Sequence, residues 1–179
     1  MSKRIFVLLY VSCMLIMGAY AQMLSVSDLL KLRNAFRSGQ EEKIENAVYA
    51  TLDAKGYDKT YCPTEDIIYR YKNCRLQIVD NPGRTAQGID IDAEPRNASA
   101  SIFNMSIHQY GAYFSVTVYS AVHAQKWKAQ LKELGYRDNG NGGNGNQGRD
   151  WEYSKAGYPD FTIWNDYGNT YVLSVSLSM

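Results

Sequence analysis

Local catalytic motifs are missing from this 179-residue chain. It has only two histidines, His108 and His123, and neither His-Glu-x-x-His nor Cys-x-x-Cys occurs, so the common zinc patterns are absent. Gly-x-Ser-x-Gly is also absent, which removes the nucleophile elbow of α/β-hydrolases. Charge of one sign is lacking too, since 19 Lys and Arg face 18 Asp and Glu. Without a net field there is no electrostatic footprint for nucleic acid or an anionic membrane surface. No apolar run reaches the ~20 residues of a membrane-spanning helix. Cysteine is scarce, with only Cys13, Cys62 and Cys74.

What is present begins at the first residues. Lys3 and Arg4 precede an apolar run from Ile5 to Met17, broken only by Ser12, and Ala19-Tyr20-Ala21 fits a small-x-small cleavage site. Residues 1–21 therefore read as a secretory signal peptide, with no membrane anchor after its removal and a secreted or periplasmic destination. Losing Lys3 and Arg4 leaves 17 basic against 18 acidic residues. Cys62 and Cys74 are then the remaining cysteines, and in an exported chain they are expected to pair. Closing so short a loop is worth about 3 kcal/mol in the chain-entropy account.

Periodicity predicts an α+β protein, an antiparallel sheet with helices packed on one face. Ser25 or Ser27 can cap a first helix that ends at Ser38-Gly39. Ile44, Ala47, Val48, Thr51 and Leu52 form one buried stripe on a second helix, from about Glu41 to Lys55, with Gly56 as a left-handed cap. Strands are expected at Ile67–Lys72 and Arg75–Asp80, joined as a hairpin through Asn73-Cys74. Further strands are expected at Ile89–Glu94, Ser101–Ile107 and Gln109–Ser120. Ser120 then starts a third helix carrying Ala124, Trp127, Leu131 and Leu134, and Gly135 ends it. The Gly/Asn tract 138–149 is expected to be a mobile loop. Trp151–Lys155, Phe161–Asp166 and Tyr171–Leu177 close the chain as strands.

Leu52-Asp53-Ala54-Lys55-Gly56-Tyr57 and Leu131-Lys132-Glu133-Leu134-Gly135-Tyr136 share Leu-x-x-x-Gly-Tyr at an offset of 79 residues. Each ends a helix and precedes alternating strands. Two helix-plus-sheet units are expected, residues 22–107 and 108–179. In this element order the chain resembles the tandem α/β architecture of secreted β-lactamase-inhibitor-like proteins. The resemblance covers most of the chain after the signal and implies an architecture and a binding mode, with no particular target.

Several chemical candidates fall to context. Gly140-x-Gly142-x-x-Gly145 matches a dinucleotide fingerprint, but a helix precedes it and a strand follows, the reverse of what a phosphate cradle needs. No cofactor is expected. Asp90, Asp92 and Glu94 share one strand face and form a weak cation candidate. His123 is expected on a helix surface and His108 in a loop. Aromatic content is the stronger signal: there are 15 tyrosines. Alternation sets Tyr113, Tyr119 and Trp164 opposite the apolar residues of their strands, hence on an open sheet face suited to recognition. The expected function is an exported, non-enzymatic binding or inhibitor-like module. Its partner is an exported or envelope protein; the alternatives are a glycan binder and a small exported hydrolase.

Overall fold

The computed structural model describes residues 23–60, 66–71, 74–80, 89–108, 111–141, 150–166 and 168–177. The signal segment and Cys62 lie outside these residues.

Helix α1 (Val26–Ser38) starts on a reciprocal cap. Ser25 Oγ accepts from the Asp28 N–H at 3.1 Å, and the Asp28 carboxylate accepts from the Ser25 N–H at 2.8 Å. Gly39, at φ 63°, ends it. Helix α2 (Glu41–Thr51) carries the expected stripe, with Ile44, Ala47 and Val48 half-buried and Thr51 and Leu52 buried. Its final turn tightens into a 3-10 turn over Asp53–Lys55. Helix α3 (Ala121–Glu133) buries Ala124, Trp127 and Leu131.

Ten strands follow in chain order: β1 (Tyr57–Thr60), β2 (Ile67–Tyr71), β3 (Arg75–Asp80), β4 (Ile89–Glu94), β5 (Ser101–His108), β6 (Gly111–Val118), β7 (Arg137–Asn141), β8 (Asp150–Ser154), β9 (Phe161–Asn165) and β10 (Tyr171–Ser176). Among the described residues, eight form one antiparallel sheet in the order β1-β2-β5-β6-β10-β9-β8-β7, and β3 and β4 pair with each other as a separate ribbon. The expected β2–β3 hairpin is therefore corrected. β2 pairs with β5 across the inserted β3–β4 ribbon, because sequence proximity suggests pairing but does not impose it. A second correction concerns the Gly/Asn tract. Its first residues, 138–141, belong to edge strand β7, irregularly paired with β8; residues 142–149 lie outside the described residues.

The helices share one face of the sheet. Leu29 and Leu32 of α1, Leu52, and Trp127 and Leu131 of α3 meet Phe103, Phe114, Val116, Phe161, Ile163 and Leu173 in one core. Trp127 Nε1 donates to the Leu24 carbonyl at 2.9 Å, satisfying its buried polar atom.

The two Leu-x-x-x-Gly-Tyr segments build the same cap. Tyr57 N–H reaches the Leu52 carbonyl at 3.0 Å and Gly56 N–H reaches that of Asp53 at 2.9 Å. Tyr136 N–H reaches Leu131 at 2.9 Å and Gly135 N–H reaches Lys132 at 3.0 Å. This is the Schellman pattern, with Gly56 at φ 86° and Gly135 at φ 82°. Leu and Tyr are buried in both. From each cap the chain enters an edge strand, and β6 and β10 then meet at the centre of the sheet.

Candidate functional site

The sheet face turned away from the helices is the candidate site. Strand register lays out one row across it: Asp150, Trp164, Val172, Thr117, Ile102 and Arg70, each opposite the next. A second row runs Glu152, Thr162, Ser174, Ser115, Asn104 and Ile68. Period two puts these side chains on the far face because Phe161, Ile163, Leu173, Val116 and Phe103 alternate with them into the core.

The β3–β4 ribbon covers one end of this face. Ile68, Cys74, Ala93, Ala100, Ile102 and Tyr119 form a second buried cluster, with Leu76 and Ile91 packed on it. Tyr119 is therefore not on an open surface. It is 4% exposed. Its hydroxyl donates to the Asp92 carboxylate and accepts from the Ala93 N–H at 2.8 Å, tying β4 to the end of β6. Burial pushes its phenol up to about 12. Strand alternation assigned the correct side of the sheet, but it carries no information about what lies over that side.

Tyr113 and Trp164 do lie on the far face, both half-buried. They do not form one patch with Tyr119. Trp164 sits in the row with Val172 and Thr117, while Tyr113 lies opposite Ser106 and Ser176. Asn104 is half-buried there; its Nδ2 donates to Ser106 Oγ at 3.0 Å, and its Oδ1 has no partner among the described residues. Two residues that the aromatic count passes over, Asp150 and Glu152, flank Trp164 and Thr162. Their signal was the alternation Asp-Trp-Glu-Tyr-Ser, which places both acids opposite the buried Tyr153, but it needs the β8–β9 register to be useful.

The other candidates are structural. Asp92 is held by Tyr119 and by an ion pair with Arg96, so it is committed within the fold. Glu94 is exposed opposite Arg75, and Asp90 lies opposite Val79. Among the described residues, no three His, Cys, Asp or Glu side chains gather to hold a metal ion. Cys74 is a buried free thiol that donates to the Tyr71 carbonyl at 3.2 Å. Its expected partner, Cys62, is outside the described residues. Burial pushes the Cys74 thiol up, away from nucleophilic character.

His123 is buried, which corrects its expected surface position. It precedes Trp127 by four residues and so falls on the helix stripe that faces the core. Burial, with Lys126 adding to it, holds its imidazole below the usual range. His108 belongs to strand β5 and not to a loop. No helix among the described residues is long and apolar enough to cross a membrane.

The fold and site thus define an α+β protein with a one-sided helix layer and a partly covered far face. Comparison with protein families, curated proteins and solved structures finds no match to this chain.

Proposed function

We propose that this chain is an exported, non-enzymatic binding module, inhibitor-like in mode, that recognises a protein partner through the far face of its sheet. The observation that carries this reading is Trp164, half-buried on a sheet face that no described helix covers. An indole offers large contact area with few rotors, which favours recognition surfaces. Half-buried Thr117 continues the row from Trp164 beyond the buried Val172, and Tyr113 lies further along the same face. Tyr119 supports this surface from below the β3–β4 ribbon and is not a contact residue. The matching caps and the mirrored strand order support treating the two halves as related units, as in the β-lactamase-inhibitor-like architecture that the sequence resembles. The apolar leader before Gln22 supports export.

The test is affinity capture from the envelope and secreted fractions of the source, comparing the chain with a Trp164→Ala/Tyr113→Ala double variant of matched circular dichroism. The expected result is a partner captured by the former and lost in the latter. Equal capture by both overturns the far-face site. A half-exposed indole also suits stacking on a sugar ring. Quenching of Trp164 fluorescence by soluble glycans, with no protein captured, would favour that second reading.

A further inference from the structure

Trp164 differs from the other two tryptophans in its surroundings. Trp127 has a hydrogen-bond partner in Leu24. Trp151, on the helix side of β8, has the Lys128 ammonium 3.0 Å from its ring centroid. Trp164 is on the neighbouring strand with its ring on the opposite face. It has no hydrogen-bond or ring partner among the described residues.

Two carboxylates share the face of Trp164 on the neighbouring strand β8. Asp150 is directly opposite Trp164, and Glu152 is opposite Thr162, one step along the same face. Directly opposed side chains have Cβ atoms about 5 Å apart, and diagonal ones about 7–8 Å, within reach of one long side chain. Asp150 is half-buried and Glu152 exposed, and neither has an ion-pair partner among the described residues. Arg137 lies opposite Ser154, further along β8, and pairs with neither.

We propose that Trp164, Asp150 and Glu152 form a receptor for a lysine or arginine side chain on an extended segment of the partner protein. This rests on the far-face reading above and names the chemistry of its occupant. The cation lies over the indole face, and its N–H groups donate to the two carboxylates. The charge of the corner is complementary to such a group, and Lys128 over Trp151 is the same pairing made within the chain.

The test uses the full chain and three capped octapeptides, alternating Thr-Lys, Thr-Gln and Thr-Glu, with binding read by tryptophan fluorescence and calorimetry. The lysine peptide is expected to bind in preference to the other two, and to weaken as salt rises. Asp150→Asn/Glu152→Gln should weaken it about fivefold, and Trp164→Ala should weaken it about threefold to fivefold. Trp164→Phe, which keeps an aromatic face, should retain part of the affinity and guards against misfolding of the alanine variant. Equal binding of the lysine and glutamine peptides, lost in Trp164→Ala, overturns the cationic receptor and leaves the far-face reading standing. Lysine-peptide binding that is unchanged in Trp164→Ala places the site elsewhere and overturns both. No lysine-peptide binding at millimolar concentration overturns the receptor.

Discussion

The two halves of the sheet start alike and end differently. Each begins with a helix closed by a Schellman cap and continues into four antiparallel strands, β1-β2-β5-β6 in one and β7-β8-β9-β10 in the other. In the first half, however, the β3–β4 ribbon is inserted between β2 and β5 and folds back over the far face. There Ile68 and Ile102 are buried. In the second half Thr162 and Trp164 of the corresponding face remain half-exposed, while Val172 beside Trp164 is buried. The same side of one sheet is therefore core at one end and surface at the other, and the inserted ribbon makes the difference. That gives Tyr119 a structural role and leaves Trp164 available.

The largest expected effects test whether the halves are equivalent where they look alike. Leu52 and Leu131 are both fully buried at the same cap position. Leu52→Ala and Leu131→Ala should each cost about 3 kcal/mol in urea denaturation. A difference between them much above about 1 kcal/mol breaks the equivalence. Tyr119→Phe tests where the halves diverge. It removes one of the two acceptors of the Ala93 N–H, which also donates to Asp92 Oδ1, and it removes the hydroxyl donor to Asp92. It should cost about 1 kcal/mol, the net worth of a typical hydrogen bond. Hydrogen exchange at Ala93 should accelerate with it. Trp164→Phe, which strands no polar group, should cost below about 1 kcal/mol. A Trp164 variant costlier than Tyr119→Phe would make Trp164 a core residue and weaken its assignment to recognition.

The legible parts of this fold were those set by local chemistry. Ser25 with Asp28, the α2 stripe and Gly56 and Gly135 are all visible within a few residues of sequence. So is the inward set Phe114, Val116 and Val118 of β6, confirmed by full burial. Edge strand β7, Arg-Asp-Asn-Gly-Asn, is not legible because it has no β-branched or aromatic residue, and β1, Tyr-Asp-Lys-Thr, is not legible because its two strand formers, Tyr57 and Thr60, are separated by two charged residues in a segment of only four. Their strand conformation comes from pairing with β2 and β8. The β2–β5 pairing is not legible because it spans the ribbon, and proximity in sequence favours a hairpin to the next strand. The site was half legible for the same reason. Alternation placed Trp164 on the far face, but the cover over Tyr119 and the register that brings Asp150 beside Trp164 depend on tertiary pairing.

A smaller effect concerns the caps themselves. Gly56 and Gly135 hold φ near 86° and 82°, where a Cβ is disfavoured. A Cβ on Gly135 would meet only the end of Lys155, at 3.8 Å, which is ordinary contact. The cost of Gly135→Ala is therefore backbone conformation alone, about 1 kcal/mol. Gly56→Ala should match it in thermal denaturation, and a clear mismatch would show that one cap carries an additional constraint.

The smallest effects separate the two ends of the helix layer by pH. Burial pushes the Asp28 carboxyl up, but the hydrogen bonds from Lys55, at 2.5 Å, and from Ser25 outweigh it and hold it below the usual carboxylate range. Its folded pKa is thus lower than its unfolded one. The stability it confers is complete above about pH 4 and is lost as pH falls further. His123 in α3 also has a lowered pKa, from burial and then from Lys126. The unfolded chain takes up this proton near pH 6.5 while the folded one resists it, so stability begins to fall below about pH 6.5. The melting temperature should therefore decline in two acid steps, the first from α3 and the second from the α1 cap. His123→Gln should flatten the step below about pH 6.5 and leave the lower one. Asp28→Asn should flatten the lower step at reduced stability throughout, because Lys55 loses its carboxylate. A step near pH 6 that survives in His123→Gln would remove the link between the pH response and the second half.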